Sequence, residues 1–311
     1  MSTMKAMTYD QYGDNSVLTL TDQPIPKVGP DEVLVKVKSA SVNPVDWKIM
    51  MGYLDPIMHA WFPITPGWDV AGVVEQVGMD APEFNVGDEV IAYARRDMVN
   101  DGTYAEYATV PVRALARKPA ALSWNEAAAL PLAGLTAYQL LTRLGLQQGE
   151  TVLIHNASGG VGLLGVQIAK HLGARVIATA SEKNHDFLRE LGAEPVAYGE
   201  GLTDRVKALA PEGVDLVADF VGGVLDVTQA VLKADGGRHA SIADGGVTDA
   251  GGQMIWVRPS DTDLQTLADM ADAGALTVPL AATFELADTA KAFELSQGGH
   301  ARGKIAIHVS D

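Results

Sequence analysis

The chain has 311 residues, 47% of them hydrophobic and 20% charged, with 39 acidic side chains against 23 Lys plus Arg and a formal net charge of −16. That is globular composition, long enough for about two domains, and so acidic a surface repels phosphate backbones and anionic lipid, which argues against nucleic-acid and membrane partners. Cysteine is absent, which removes disulfides, thiol nucleophiles and every thiolate-ligated zinc site and fits a reducing cytoplasm.

The first ten residues carry one Lys and no apolar stretch of signal-peptide length. From there to about Lys118 the pattern is short strands and turns. Residues 32–39 alternate, with Val33, Val35 and Val37 on one face, and residues 70–77 and 89–94 read as further strands punctuated by Gly and Pro. This is a β-rich domain. The style changes near Leu122. Ser123 and Glu126 stand three apart before an apolar run, a capping-box signature. That run, 127–141, is shorter than the ~20 residues of a membrane helix and reads as one buried core helix. Strands then alternate with helices: strand 151–155, helix 162–172, strand 175–180, helix 185–191, and strands 214–221 and 238–243. Such alternation predicts βαβ units and a parallel sheet with helices on both faces. A turn-rich stretch, 244–252, ends it. Helices near 264–273 and 287–296 and a last strand, 304–309, form a tail whose packing the pattern leaves open.

After the strand at 151–155 comes Asn156-Ala157-Ser158-Gly159-Gly160-Val161-Gly162, then an amphipathic helix. Ala157-x-Gly159-x-x-Gly162 is the dinucleotide fingerprint with Ala in the first slot. The chain must turn sharply, the backbone at Gly159 must approach a diphosphate, and Gly162 must let the helix pack on the strand. The helix N-terminus then offers N–H groups and a positive dipole end. Ala in the first slot predicts a slightly looser turn. A purely structural turn is the other reading; the strand before, the helix after and the βαβ units beyond favour a cofactor. An NAD site places an acid at the end of the second strand. Here that strand ends Thr179-Ala180-Ser181-Glu182-Lys183. A Ser hydroxyl and a Lys ammonium suit the 2′-phosphate of NADPH. Glu182 is the counter-argument, should the register slip by one.

Together these motifs resemble a family. Asn43-Pro-Val-Asp46-Trp-Lys48, Pro66-Gly67-Trp68-Asp69-Val-Ala-Gly72, Asn85-Val-Gly87-Asp88-Glu-Val90, Gly102-Thr-Tyr104-Ala-Glu106-Tyr, Gly134-Leu-Thr136-Ala-Tyr138, the 157–162 loop, Asp219-Phe-Val-Gly222-Gly223 and Gly303-Lys304-Ile305 run nearly end to end. Their order and spacing are similar to those of the zinc-free medium-chain dehydrogenase/reductases of the quinone oxidoreductase (zeta-crystallin-like) type. The resemblance implies an α/β protein: a GroES-like β-barrel domain from residues 1–122 and 262–311, with an inserted Rossmann domain, a doubly wound parallel sheet, at 123–261. It implies a cleft holding NADPH, and a homodimer. In the zinc-dependent branch a Cys and a Gly-His-Glu segment ligate catalytic zinc; here Gly67-Trp68-Asp69 stands in that place and no Cys exists, so no metal is expected. By similarity, Asn43 and Thr136 lie near the nicotinamide, and Ser181, Lys183 and Tyr198 surround the 2′-phosphate. Ala157, Ser158, Gly159, Gly160, Val161 and Gly162 cradle the diphosphate, Phe220, Val221 and Ile242 line the groove, and Lys304 sits near it. The family often has a tyrosine just after the Asn motif; here Trp47 and Lys48 occupy that stretch.

Hydride transfer needs donor and acceptor held in line, and a donor group for the charge that develops on the acceptor oxygen. Without zinc, acceptors that delocalise charge are favoured over simple alcohols: quinones and α,β-unsaturated carbonyls. Asn43 or Lys48 is the candidate donor; a solvated or cofactor-contacting Lys48 is the competing reading. His155 reads as a hydrogen-bonded core residue, Asp46 and Asp69 as turn and structural acids, and Trp47, Trp61 and Trp68 either as a platform for a flat ring or as core packing. No Tyr-x-x-x-Lys pair, no Gly-x-Ser-x-Gly elbow and no metal-ligand histidine spacing occurs. The runners-up are a reductase of small alkenals or enoyl thioesters, and a low-turnover NADPH-binding redox sensor.

Overall fold

The computed structural model describes residues 2–311 and divides into two compact units. One comprises the chain up to Leu135 together with Arg258–Asp311; the other is Thr136–Val257.

In the second unit six strands lie in the order Glu194–Ala197, Arg175–Ala180, Thr151–His155, Leu216–Asp219, Arg238–Ser241 and Gln253–Met254. Every neighbouring pair is parallel. Counted in chain order this is 3-2-1-4-5-6, the doubly wound Rossmann arrangement, with its switch point between Thr151–His155 and Leu216–Asp219. Its central strands are apolar along their length, as parallel strands covered by helices must be. Leu153, Ile177, Val196 and Val217 pack against Leu202, Val206 and Val231 of the crossover helices Leu202–Leu209 and Leu225–Val231. The pattern had not marked these two helices or the strand Gln253–Met254.

Two strands are shorter than their sequence pattern, for the same reason. After Leu216–Asp219 the Asp219 Oδ1 accepts the N–H groups of Val221 and Gly222, both at 2.9 Å. After Arg238–Ser241 the Ser241 Oγ accepts those of Ala243 and Asp244 at 3.1 and 3.0 Å. Each side chain turns the backbone out of the ladder.

In the first unit a seven-stranded sheet runs Leu280–Glu285, Lys304–His308, Glu32–Val42, Asp69–Val77, Glu89–Tyr93, Leu115–Arg117, with Tyr107–Pro111 also paired to Glu32–Val42. Val33, Val35 and Val37 are fully buried, in one core with Val70, Val90 and Val110. The tail finds its place here. Lys304–His308 pairs antiparallel with Glu32–Val42, setting Ile305 opposite Val42 and Ile307 opposite Ala40. A β-rich unit and an all-parallel, doubly wound sheet in the other make this an α/β protein of the expected fold class.

The run 127–141 is not one helix. It splits into Trp124–Ala128 and Pro131–Arg143. Pro131 has no N–H to continue the first helix and suits the first position of the second. The capping box is present: Ser123 N–H donates to Glu126 Oε2 at 2.9 Å, and Glu126 N–H to Ser123 Oγ at 3.4 Å. Residues 123–135 lie in the first unit, where Trp124–Ala128 packs on Glu32–Val42 and Asp69–Val77. Among the described residues no helix is long and apolar enough to cross a membrane.

Candidate active site

The glycine-rich loop follows Thr151–His155. Asn156 takes φ 56°, the left-handed region that Asn tolerates better than most residues. The tight turn therefore sits one residue ahead of Ala157, and Ala in the first fingerprint slot does not loosen it. Asn156 N–H donates to Thr179 Oγ1 at 3.1 Å and Ala157 N–H to Thr179 O at 2.9 Å, tying the loop to the second strand. The helix begins at Gly160, two residues earlier than its apolar pattern, with Gly159 as N-cap. A Cβ on Gly162 would stand 2.2 Å from Asn156 O and 2.6 Å from Ala157 Cα. Gly162 is thus required by the loop's own backbone. The close helix packing expected of it falls to Gly165, where a Cβ would come within 3.0 Å of the Phe220 ring. Ser158, Gly159, Gly160 and Val161 are half-buried, so the N-terminal end of this 12-residue helix is open to an anion.

The other candidate cofactor residues gather at the same C-terminal edge. Ala180 pairs with Ala197, so Ser181 and Tyr198 follow adjoining strand ends. Ser181 is half-buried and its Oγ accepts from Asn184 Nδ2 at 3.3 Å, while Glu182, Lys183 and Tyr198 are exposed. Ser181 is the first residue past the strand; Glu182 lies one further, in the turn Glu182–Asn184. Past the neighbouring strands Phe220 is buried, Val221 exposed and Ile242 half-buried. Thr136 is buried in the helix Pro131–Arg143. His155 is a core residue, but its Nε2 has no hydrogen-bond partner. Burial pushes its imidazole down to about 4 against the nearby Asp219, so it is neutral and apolar in effect.

In the first unit the structure assembles a second group. Asn43 sits between the strand Glu32–Val42 and the helix Pro44–Met50, and is buried. Its Oδ1 accepts from Lys304 Nζ at 2.5 Å, and its Nδ2 donates to Asp69 Oδ2 at 2.8 Å. Lys304 Nζ also donates to Val42 O at 3.0 Å and lies 3.8 Å from Asp69 Oδ2. Asp69 further accepts Ser41 Oγ–H at 2.7 Å and Leu132 N–H at 2.8 Å. Asp46 Oδ2 accepts Asn43 N–H and the Tyr104 hydroxyl, both at 2.8 Å. Asp46 is therefore the turn acid expected of it, and Asp69 is structural, but both belong to one buried network around Asn43 and Lys304. Burial pushes the Lys304 ammonium down, opposed by Asp69 and Asp46.

Comparison with known proteins agrees with this geometry. Residues 29–120 match the alcohol dehydrogenase GroES-like domain and residues 191–307 match the zinc-binding dehydrogenase domain. The 2-methylene-furan-3-one reductase of Solanum lycopersicum is 34% identical over 318 residues, spanning 99% of this chain and 79% of that protein. The chloroplastic NADPH-dependent alkenal/one oxidoreductase of Arabidopsis thaliana is 34% identical over 315 residues, spanning 98% and 79%. A solved structure of the quinone oxidoreductase from Coxiella burnetii superposes with TM-score 0.87 at 35% identity, covering 99% of this chain and all of that one (100%). The chain belongs to the medium-chain dehydrogenase/reductase family, in its quinone oxidoreductase branch.

As a medium-chain oxidoreductase it departs from the zinc-binding description of its second domain match. Trp68 is in the core, edge-on to Tyr93 at 6.0 Å, and both Asp69 carboxylate oxygens are already engaged by Ser41, Asn43 and Leu132. Among the described residues no three His, Cys, Asp or Glu gather as a metal site. The residues present do not fit a zinc ion. Lys48 stands outside the Asn43 network, exposed, with Nζ 5.6 Å from the Trp47 ring centre. Trp47 donates its Nε1–H to Ser296 Oγ at 3.1 Å, and Trp61 is exposed. The three tryptophans occupy separate settings. Ser41 and Tyr104 carried no sequence signal as partners of Asp69 and Asp46; only the motif around Tyr104 marked its segment.

Proposed function

We propose that this oxidoreductase is an NADPH-dependent, zinc-independent reductase that passes hydride to a quinone or an α,β-unsaturated carbonyl. The observation that carries the reading is Asn43. Lys304 holds its amide oxygen and Asp69 one of its N–H groups. An amide has two such donors, and the second is left for the oxygen of an acceptor. A fixed donor of this kind replaces the Lewis acid that alcohol chemistry uses and suits acceptors whose charge is delocalised.

NADPH, when bound, supplies the hydride. The N–H groups of Ser158, Gly159, Gly160 and Val161 hold its diphosphate at the helix N-terminus. Ser181 and Lys183, with Tyr198 beside them, hold the 2′-phosphate, and Glu182 sits in the turn. Thr136, Phe220, Val221 and Ile242 shape the groove. Asn43 steadies the developing oxyanion, and water delivers the proton. Lys48 is a second candidate donor: a loss of less than a few-fold in kcat on Lys48→Ala removes it from the mechanism. Two relatives are named for enone and alkenal/one reduction, which favours the unsaturated-carbonyl side of the reading, small alkenals included. A homodimer in the cytoplasm is part of the same proposal, with light scattering as its check.

The test is loss of NADPH absorbance against benzoquinone, phenanthrenequinone, an enone, an alkenal and an enoyl thioester, with NADH and a chelator as controls. Chelator-resistant turnover with NADPH preferred supports the reading and names the acceptor class. NADPH binding without turnover on any of them replaces it with a redox sensor.

A further inference from the structure

The Asn43 network contains two carboxylates and one ammonium, and none of them reaches water. Asp46, Asp69 and Lys304 are 1%, 0% and 5% exposed. Fully ionised, the group would carry one unmatched negative charge, which burial makes costly. One bound proton removes it. The hydrogen bonds decide where that proton sits. Asp69 accepts from Ser41, Asn43 and Leu132 and has Lys304 at 3.8 Å, all of which favour its charged form. Asp46 accepts only on Oδ2, from Asn43 N–H and Tyr104, and its Oδ1 has no partner. The proton belongs on Asp46 Oδ1.

The surroundings agree. Asp46 and Tyr9 border a cavity of ≈ 10 Å³, and the Tyr9 hydroxyl is likewise without a partner. Such a space admits about one water, so a proton on Oδ1 has acceptors to meet. The titratable groups around Asp46 are Tyr9, Tyr93, Tyr104, Asp69 and Lys304, with Arg96, paired to Glu32, and Asp101 lining the same cavity. Burial pushes all three tyrosines up, so they stay neutral donors. Burial also pushes Asp46 up to about 7, beyond what its hydrogen bonds from Asn43 and Tyr104 recover. Burial pushes Asp69 up as well, opposed by Lys304, Asn43, Ser41 and Leu132; the fuller set of donors on Asp69 and the unpartnered Oδ1 of Asp46 make Asp46 the member of the cluster whose charge changes near neutral pH.

We propose that Asp46 is a positioning residue that sets the charge at Asn43: the enzyme works with Asp46 protonated, and its ionisation opposes the negative charge growing on the acceptor oxygen. This rests on the reading that Asn43 meets the acceptor. The link is direct, because Asp46 Oδ2 is bonded to the backbone N–H of Asn43 itself.

The experiment follows kcat/KM for NADPH-dependent reduction against pH, together with the infrared carbonyl band of a buried carboxylic acid in the protein alone. In the wild type the rate falls about tenfold per pH unit beyond one midpoint, as a single ionisation requires, and the band disappears over the same range. Asp46→Asn keeps an oxygen for Asn43 N–H and Tyr104, and puts an amide nitrogen where the proton was. Its profile loses that alkaline fall, and its spectrum lacks the band. Tyr104→Phe deletes a hydrogen bond to the ionised form, so the midpoint moves to higher pH. This variant and the wild-type infrared titration decide the matter should Asp46→Asn not fold. A flat wild-type profile, or the same alkaline fall in Asp46→Asn, overturns the proposal. No band at any pH overturns the protonation itself. A titrating band without turnover of any acceptor instead removes the reductase reading, and the role at Asn43 with it.

Discussion

The nucleotide loop is seven consecutive residues, 156–162, whereas the Asn43 network reaches across 261 positions of chain to Lys304. The loop is shaped by contacts within itself and to the adjoining strand: a left-handed Asn156, a Gly162 with no room for a Cβ, and two hydrogen bonds to Thr179. The network exists because a tail strand pairs with Glu32–Val42 and delivers Lys304 beside Val42 and Asn43. A local device survives in the spacing of its residues. A tertiary device depends on each of its partners being brought together and buried at once.

That contrast predicts different failures. The largest is expected at Lys304→Met. It leaves Asp69 buried without its cation and should cost about 3–5 kcal/mol in denaturant unfolding, as broken buried pairs do. Reversal by the second change Asp69→Asn would mark the loss as electrostatic; no reversal would make it one of packing. Next comes Gly162→Ala. The contact of 2.2 Å to Asn156 O forces the loop apart, with a stability loss of roughly 1–3 kcal/mol and, in calorimetry, loss of NADPH binding. Binding left intact would separate this loop from the diphosphate.

Lys183→Ala is expected to weaken NADPH binding by about tenfold, the scale of one charge-assisted hydrogen bond, while NADH binding stays put. Equal losses for both cofactors would break the assignment of the 2′-phosphate to this edge. Ser123→Ala removes the capping box and should cost about 1 kcal/mol with no change in cofactor binding.

The two regions also differ toward pH. The unfolded chain releases the Asp46 proton near the ordinary 3.8, and the folded chain keeps it to about 7. Between those values the folded state holds more protons. Its stability from this group is therefore full below the lower value, declines as pH rises across the window, and is gone above it. Unfolding midpoints of wild type and Asp46→Asn should lie closest toward the acid end, where both side chains are neutral, and separate toward the alkaline end as the wild type loses this stability. The nucleotide loop contains no titratable side chain, so Gly162→Ala should shift the midpoint without altering this slope.

Much of the fold was legible in the chain. Alternation at Val33, Val35 and Val37, the capping box at Ser123 and Glu126, and the strand–helix rhythm from Thr151 onward are short-range signals, and the structure contains each of them. The misreadings came where a side chain overrode the apolar pattern: Pro131 divided one helix into two, and Asp219 and Ser241 ended strands early. In the site, resemblance put Asn43 and Lys304 near the same cofactor without joining them, and the need for an oxyanion donor made Lys48 a candidate although its side chain lies exposed beside Trp47.

The sequence by itself determined the parallel sheet, the glycine-rich loop after its first strand and the absence of thiolate ligands, because period, spacing and residue type are local properties of a chain. Tertiary structure alone decided that Asp46, Asp69, Tyr104 and Lys304 share one buried network with Asn43. Removal from water is what turns a turn-capping carboxylate into a group that keeps its proton to about 7, and burial is a property of the folded whole.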